Sequence, residues 1–273
     1  MYGVVTRNEE ELDWSEFDRG FLEVKDVTGR SAEALAEAVN MVSCFGDNAA
    51  VEADPDLAAV SDEGELATRE RTYFDWAYVC PTREDYREGV LEIVSDCAET
   101  SPDVRLDDVG FPRAEYCHCD RCNEQFEASD FEDRFEWRAN VITEFVAEAA
   151  DRIPGKTYFT LYPDPYPGHL YERAGLDLDA LSEYVDEFIV PLYDMAYETT
   201  YWLETIASGF RDALDVPFSV ELYAVDVDID NLVHAAEVAD EYAENVFFGY
   251  DAGNARAAIR RARAESRDGV SHG

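Results

Sequence analysis

Cys117, Cys119 and Cys122 put three thiols within six residues, in a C-x-C-x-x-C spacing that lets them turn around one metal ion. A tetrahedral zinc site needs a fourth ligand, and Cys80 is the natural candidate, with His118 or a water as alternatives. Four thiolates close such a site, so zinc there is expected to be structural. Cys44 and Cys97 fall in helix-like sequence and read as small buried apolar residues. Immediately before the thiols, the stretch VRLDDVGFPR alternates: Val104 and Leu106 point one way, Arg105 and Asp107 the other. In FSVELY, Glu221 lies between apolar neighbours in the middle of a strand-like run, where a carboxylate is costly without a partner or a task. Paired carboxylates of this kind suit general acid and nucleophile chemistry. The candidates are Asp107 or Asp108 as acid and Glu221 as nucleophile or base.

The elements that must carry these groups alternate. Strand-like runs occur at 2–6, 21–26, 49–54, 103–111, 157–162, 188–193, 218–223 and 246–251. Helix-like sequence follows at 31–42 (with Ser31 as N-cap), 83–99, 132–153, 181–185, 199–214, 231–243 and 254–265. Eight such units within 273 residues predict a single (β/α)8 TIM barrel over residues 1–265, with a zinc-type loop at 117–122 and a frayed tail at 266–273. The polar stretch 55–72 reads as a long functional loop. Both the Cys80 loop and the cysteine cluster then lie on the same face of the barrel.

Period-two reading sends the apolar residues toward the helices and leaves an inward set. That set comprises Ser219, Glu221 and Tyr223, then Tyr158, Thr160 and Tyr162, then Tyr193 followed by Asp194, and Gly249 with Asp251. Such barrels keep their chemistry at the C-terminal end of the strands. There, acids and tyrosines suit glycoside hydrolysis: one carboxyl protonates the leaving oxygen, the other attacks or activates water, and flat rings stack on sugars. Tyr162, Tyr193, Asp194, Tyr223 and Asp251 are the expected substrate contacts; Glu23, Glu52 and Asp54 are further binding candidates. In a chain with 62 acidic residues an acid at a strand end is ordinary composition, and Arg105 or Lys25 is an available structural partner for Asp107.

Composition narrows the setting. Acidic residues outnumber basic ones 62 to 22, giving a net charge of −40 spread along the whole chain, and Lys25 and Lys156 are the only lysines. At molar salt the screening length falls to about 3 Å, so this surface fits a high-salt cytoplasm. It opposes binding to nucleic acid or anionic membranes. No apolar run approaches the length of a membrane span and no leader-like segment is evident, so a soluble cytoplasmic protein is expected, possible as a homo-oligomer.

The run from Cys80-Pro81 through RLDDVGFP to YCHCDRCNEQF resembles the corresponding stretch of (β/α)8 glycoside hydrolases. It is similar to the family 42 β-galactosidases, with their cysteine-bound zinc beside the barrel, and to glycosyl-hydrolase-like barrels with C-x-C-x-x-C after an LD or DD strand end. EYVDEFIVPLYDMAY and FSVELYAV resemble strands six and seven of that superfamily, and the likeness covers roughly residues 70–252. With the charge, it reads as a halophilic archaeal version. The resemblance implies a nucleophile at Glu221. Family 42 enzymes carry Asn-Glu at the end of strand four, where this chain has Asp107-Asp108, and they possess further domains with no counterpart here. A barrel that binds a saccharide or another polar ligand without cleaving it is the alternative.

Overall fold

The computed structural model describes residues 1–193 and 201–270, with side chains through Ala264. The strands are β1 (Tyr2–Thr6), β2 (Arg19–Asp26), β3 (Val39–Ser43), β4 (Val104–Asp107), β5 (Thr157–Thr160), β6 (Glu187–Leu192), β7 (Phe218–Tyr223) and β8 (Val246–Gly249). Each pairs in parallel with the next, and β8 pairs with β1, which closes a barrel of eight strands. The principal helices are α1 (Glu84–Thr100), α2 (Asp120–Ala128), α3 (Arg134–Ala150), α4 (Tyr201–Ala213), α5 (Ile229–Asp240) and α6 (Ala252–Val270). α6 thus reaches five residues past the expected boundary at 265.

Alternation along the strands fills two separate spaces. Leu22, Val42, Leu106, Phe159, Val190, Leu222 and Phe248 face outward into the core shared with the helices. Val5, Phe21, Val39, Met41, Tyr158, Ile189 and Phe247 pack together inside the barrel. The interior is therefore a filled core, as the fold requires. Gly3 makes room for it: a Cβ there would stand 2.7 Å from Phe247 Cδ1 and from the Arg19 carbonyl. One helix shows how the outer layer seals. α1 buries Val90, Leu91, Val94, Cys97 and Ala98, one face at helical spacing, and carries Glu84 and Asp85 in its first turn, where the helix dipole favours acids.

The first third departs from the expected elements. Residues 31–38 form no helix, and Val39–Ser43 is β3, all five residues buried. Asn40 explains the change: its Oδ1 accepts from Leu35 N at 2.9 Å while its Nδ2 donates to Leu35 O at 3.1 Å, pinning the 31–38 turn against the strand. The barrel needs a strand between β2 and β4, and that need overrides the helix propensity of SAEALAEA. The expected third strand at 49–54 is instead a helix, Asn48–Ala53, capped by Asp47. Glu52 is exposed on it, and Asp54 caps the 3₁₀ turn Pro55–Leu57, so neither faces the barrel mouth. Cys44 directly follows β3, buried, rather than lying in a helix. From Ala58 to Val79 the chain forms an insertion held by short antiparallel bridges, including Ala58–Val79 and Ser61–Tyr116.

Candidate active site and metal centre

At the C-terminal end of the barrel lies a cavity of about 750 Å³, lined among others by Glu23, Asp26, Trp76, Arg105, Asp107, Asp108, Tyr162, Tyr193, Tyr223 and Tyr250. Its floor is an ion pair. Arg105 Nη1 stands 2.6 Å from Glu221 Oε2, with the side chains 1% and 0% exposed. Arg105 Nε donates to Thr160 Oγ1 at 2.9 Å, and the Tyr193 hydroxyl donates to Glu221 Oε1. β8 leaves space for the carboxylate by placing Gly249 beside it, since a Cβ there would lie 2.9 Å from Glu221 Oε1. Burial presses the Arg105 pKa down, but Glu221 and then Asp107 outweigh it, so the guanidinium is held charged.

On the wall, Glu23 of β2 is 5% exposed; its Oε2 stands 2.5 Å from Arg7 Nε and its Oε1 accepts from Tyr250 Oη at 3.1 Å. Burial pushes its pKa up to about 7, with Arg7 opposing and Asp107 adding to the rise. Asp107 is half-buried, its Oδ1 accepting from Asp108 N at 2.9 Å, and among the described residues no cation lies within 4.0 Å of it. Asp108 stands at φ 51°, one of few non-glycine residues in the left-handed region, which turns its side chain toward β3.

Asp108 is buried against Ser43 and beside Asp107. The Ser43 hydroxyl has a single proton, yet Ser43 Oγ lies 2.9 Å from the Gly46 carbonyl and 2.6 Å from Asp108 Oδ2. Ser43 donates to Asp108 Oδ2, which favours the ionised carboxyl and opposes the effect of burial. Burial first, then Asp107, push the Asp108 pKa up to about 8, in accord with a neutral carboxyl at pH 7. Among the described residues, Trp76 Nε1 and Tyr162 Oη on the cavity wall are buried donors with no acceptor.

The mouth therefore gathers Asp107, Asp108, Tyr162, Tyr193 and Tyr223 around the cavity, with Glu221 beneath it. The rings of Tyr193 and Tyr223 lie 5.2 Å apart, and Tyr250 stands 6.3–6.4 Å from both. Asp251 does not join them. Its Oδ1 accepts from Asn254 N at 2.9 Å, capping α6, because Tyr250 at φ 72° breaks the alternation just past β8. Asp194 lies outside the described residues. Residues without a periodic signal complete the site: Trp76 enters from the insertion, Arg7 from the loop after β1, and Tyr250 by its positive φ. Glu23 was signalled by the alternation of FLEVKD, which faces it inward with Lys25.

The thiols meet as the spacing implied. Cys80, Cys117, Cys119 and Cys122 bring their sulfurs within 4.8 Å of one another, and His118 is not among them. Cys80 Sγ lies 3.8 Å from Cys119 Sγ and 3.3 Å from Cys122 Sγ. For sulfurs about 2.3 Å from a tetrahedral ion, the edge is about 3.8 Å. Cys119 caps the N-terminus of α2 and Cys122 sits in its first turn, where the helix dipole favours thiolates. Val60 N donates to Cys117 Sγ at 3.2 Å, and the Thr82 hydroxyl stands 3.2 and 3.3 Å from Cys80 and Cys122. Left to themselves the crowded thiols share protons unevenly: contact with Cys117 and its neighbours holds Cys119 far below the ordinary thiol range and pushes Cys122 far above it. A divalent cation that takes all four as thiolates relieves that crowding. The donor set, spacing and supporting donors fit such an ion. A second cavity, about 870 Å³, adjoins this loop at His118 and Arg121, away from the carboxylates of the mouth.

No family model and no curated protein sequence matches the chain, so the family 42 likeness rests on the quoted motifs alone. Among solved structures the chain is similar to the alpha-L-fucosidase isoenzyme 2 from Paenibacillus thiaminolyticus, with a TM-score of 0.66 and 12% identity. The match covers 97% of this chain and 49% of that one, so the chain spans about half the fucosidase's length. It is also similar, at a TM-score of 0.44 and 12% identity, to the GH53 catalytic domain from Ignisphaera aggregans, over 87% of this chain and 75% of that one. At such identity the likeness is one of fold: a (β/α)8 barrel.

Proposed function

We propose that the barrel mouth binds a carbohydrate and hydrolyses a glycosidic bond. One observation carries the reading: among the described residues, the cavity presents Trp76 Nε1 and Tyr162 Oη as buried donors without acceptors, and Asp107 as an acceptor without a cation. Hydroxyl groups donate and accept at once, so a polyol satisfies all three, and the tyrosine faces supply stacking surface. In this reading Glu221 is the carboxylate that attacks the anomeric carbon or activates water. The leaving oxygen takes its proton from Asp107, at the cavity wall beside Glu23. Asp108, neutral and turned to Ser43, positions the end of β4. Tyr162, Tyr193 and Tyr223 line the sugar site.

The seclusion of Glu221 supports a second reading. Fully buried and tied to Arg105 and Tyr193, it serves equally as a brace beneath a cavity that binds a saccharide without cleaving it. Zinc held by Cys80, Cys117, Cys119 and Cys122 is structural in either case, fixing the loop after β4. A charge of −40 suits a high-salt setting and opposes binding to nucleic acid. Among the described residues no helix is long and apolar enough to cross a membrane.

The test is hydrolysis and binding of aryl glycosides and oligosaccharides in molar KCl, with wild type, Glu221→Gln, Asp107→Asn and Trp76→Phe. Hydrolysis reduced about 10²-fold or more in the two carboxylate variants, with folding intact, supports the hydrolase. Trp76→Phe keeps the plane and removes the donor, so it weakens binding about tenfold. Binding without turnover selects the second reading. Neither binding nor turnover by any saccharide refutes both.

A further inference from the structure

α3 presents two guanidinium groups to the cysteine loop, one turn apart. Arg138 is 1% exposed, and its four hydrogen bonds all go to carbonyls: Nη1 to Glu172 O at 2.7 Å and Ala114 O at 3.3 Å, Nη2 to Arg113 O at 2.8 Å and Arg173 O at 3.1 Å. Arg134 Nη2 donates to Cys117 O at 2.6 Å and to Asn123 Oδ1 at 2.9 Å. Carbonyl and amide oxygens satisfy N–H groups but bring no net negative charge. Among the described residues no carboxylate lies within 4.0 Å of either guanidinium, although the chain carries 62 acidic residues against 22 basic ones. Like charges four apart on a helix repel, and a buried charge without a partner is costly. The rings of Phe111 at 4.7 Å and Phe135 at 5.5 Å from Arg138 offset only part of that cost. Cys117 and Cys122, and after them Glu115, oppose the burial and the Arg134 repulsion acting on Arg138.

We propose that Arg134 and Arg138 are the counter-charges of a dication–tetrathiolate centre at Cys80, Cys117, Cys119 and Cys122. Four thiolates around one dication leave two net negative charges, matching the two guanidinium groups in number, and Arg134 reaches the cysteine loop at the Cys117 carbonyl. The inference rests on the metal reading of the thiol cluster. It gives the metal a mechanical consequence as well. Arg138 grips the loop after β4 through Arg113 and Ala114, and the end of the helix His169–Ala174 through Glu172 and Arg173. Charge balance at the thiols thus secures two segments that rise from neighbouring strands.

The experiment measures zinc content of the purified protein, then the zinc dissociation constant by competition with a chromophoric chelator. Wild type, Arg134→Gln, Arg138→Lys and Arg138→Met are compared, with melting curves of zinc-loaded and zinc-stripped protein. Arg134→Gln and Arg138→Met are each expected to weaken zinc binding about tenfold or more. Arg138→Lys, which keeps the charge and loses the fork, should leave zinc affinity nearly unchanged while lowering the melting temperature. Half-buried Arg134 carries the test if Arg138→Met fails to fold. Unchanged zinc affinity in Arg134→Gln, with Arg138 variants equally destabilised loaded and stripped, overturns the proposal and leaves the metal site standing. Wild type that takes up no zinc overturns the metal reading and this inference with it.

Discussion

Replacing Glu221 by glutamine preserves the shape of the side chain and an acceptor for the Tyr193 hydroxyl, but it leaves Arg105 charged and unpaired inside the barrel. Glu221 is the sole carboxylate within 4.0 Å of that guanidinium among the described residues, at 2.6 Å, and the remaining contacts are the Thr160 hydroxyl and the face of Phe21. Removing one partner of a buried ion pair costs about 3–5 kcal/mol. Unfolding entropy near 2.1 cal/mol/K per residue gives roughly 0.6 kcal/mol/K for a chain of 273 residues. The melting temperature should therefore fall by about 5–9 °C. Molar KCl will not hide the effect, because buried pairs are weakly screened. Arg105→Met alone should fall at least as far, since it strands the carboxylate, whereas the double variant Arg105→Met/Glu221→Gln should recover most of the loss. Differential scanning calorimetry of the four proteins in molar KCl closes the cycle. A shift under about 2 °C in Glu221→Gln, or losses that simply add in the double variant, would refute the assignment of a coupled buried pair. The same melts decide whether lost hydrolysis in Glu221→Gln reflects chemistry or a loosened floor.

A neutral Asp108 and a Glu23 titrating near 7 make stability depend on pH. Both carboxyls are raised above their unfolded values, so folding binds protons: their contribution is fully present below about pH 4 and is lost as pH rises toward 8. Denaturant melts at pH 5 and pH 8 should show lower stability at pH 8, and Asp108→Asn should flatten the difference while Glu23 keeps part of it. A slope unchanged by Asp108→Asn contradicts the raised pKa of the buried Asp108 carboxyl. Gly249→Ala should displace Glu221, because its Cβ falls 2.9 Å from Oε1. About 1–3 kcal/mol of stability is expected to go, with hydrolysis falling further than stability accounts for. Unaltered activity in a folded Gly249→Ala protein would show that Glu221 does not take part.

Much of the barrel was legible because burial on two sides imposes a period on the strands. FSVELY, TYFTLY and VRLD each separate outward apolar residues from an inward set, and the structure keeps those faces. The four-thiol cluster was legible for a related reason: three of its ligands are local, and a short loop leaves little choice but to bring them together. The first third was not. SAEALAEA has helix propensity and AAVEAD alternates, yet Asn40 and the closure of β2 onto β4 make the strand at Val39–Ser43 instead.

Composition and local pattern thus determined the class of fold, the inward faces of the later strands and three of the four clustered thiols, since each depends on side chains a few residues apart. Tertiary structure decided how they are partnered. The pairing of Glu221 with Arg105 crosses the barrel from β7 to β4, and Asp108 is buried against a hydroxyl on β3. Trp76 arrives from an insertion, and Tyr250 replaces Asp251 in the mouth through one left-handed residue. Charge state and reach are properties of neighbours brought close by folding, and a carboxylate's neighbours in space are not its neighbours in sequence.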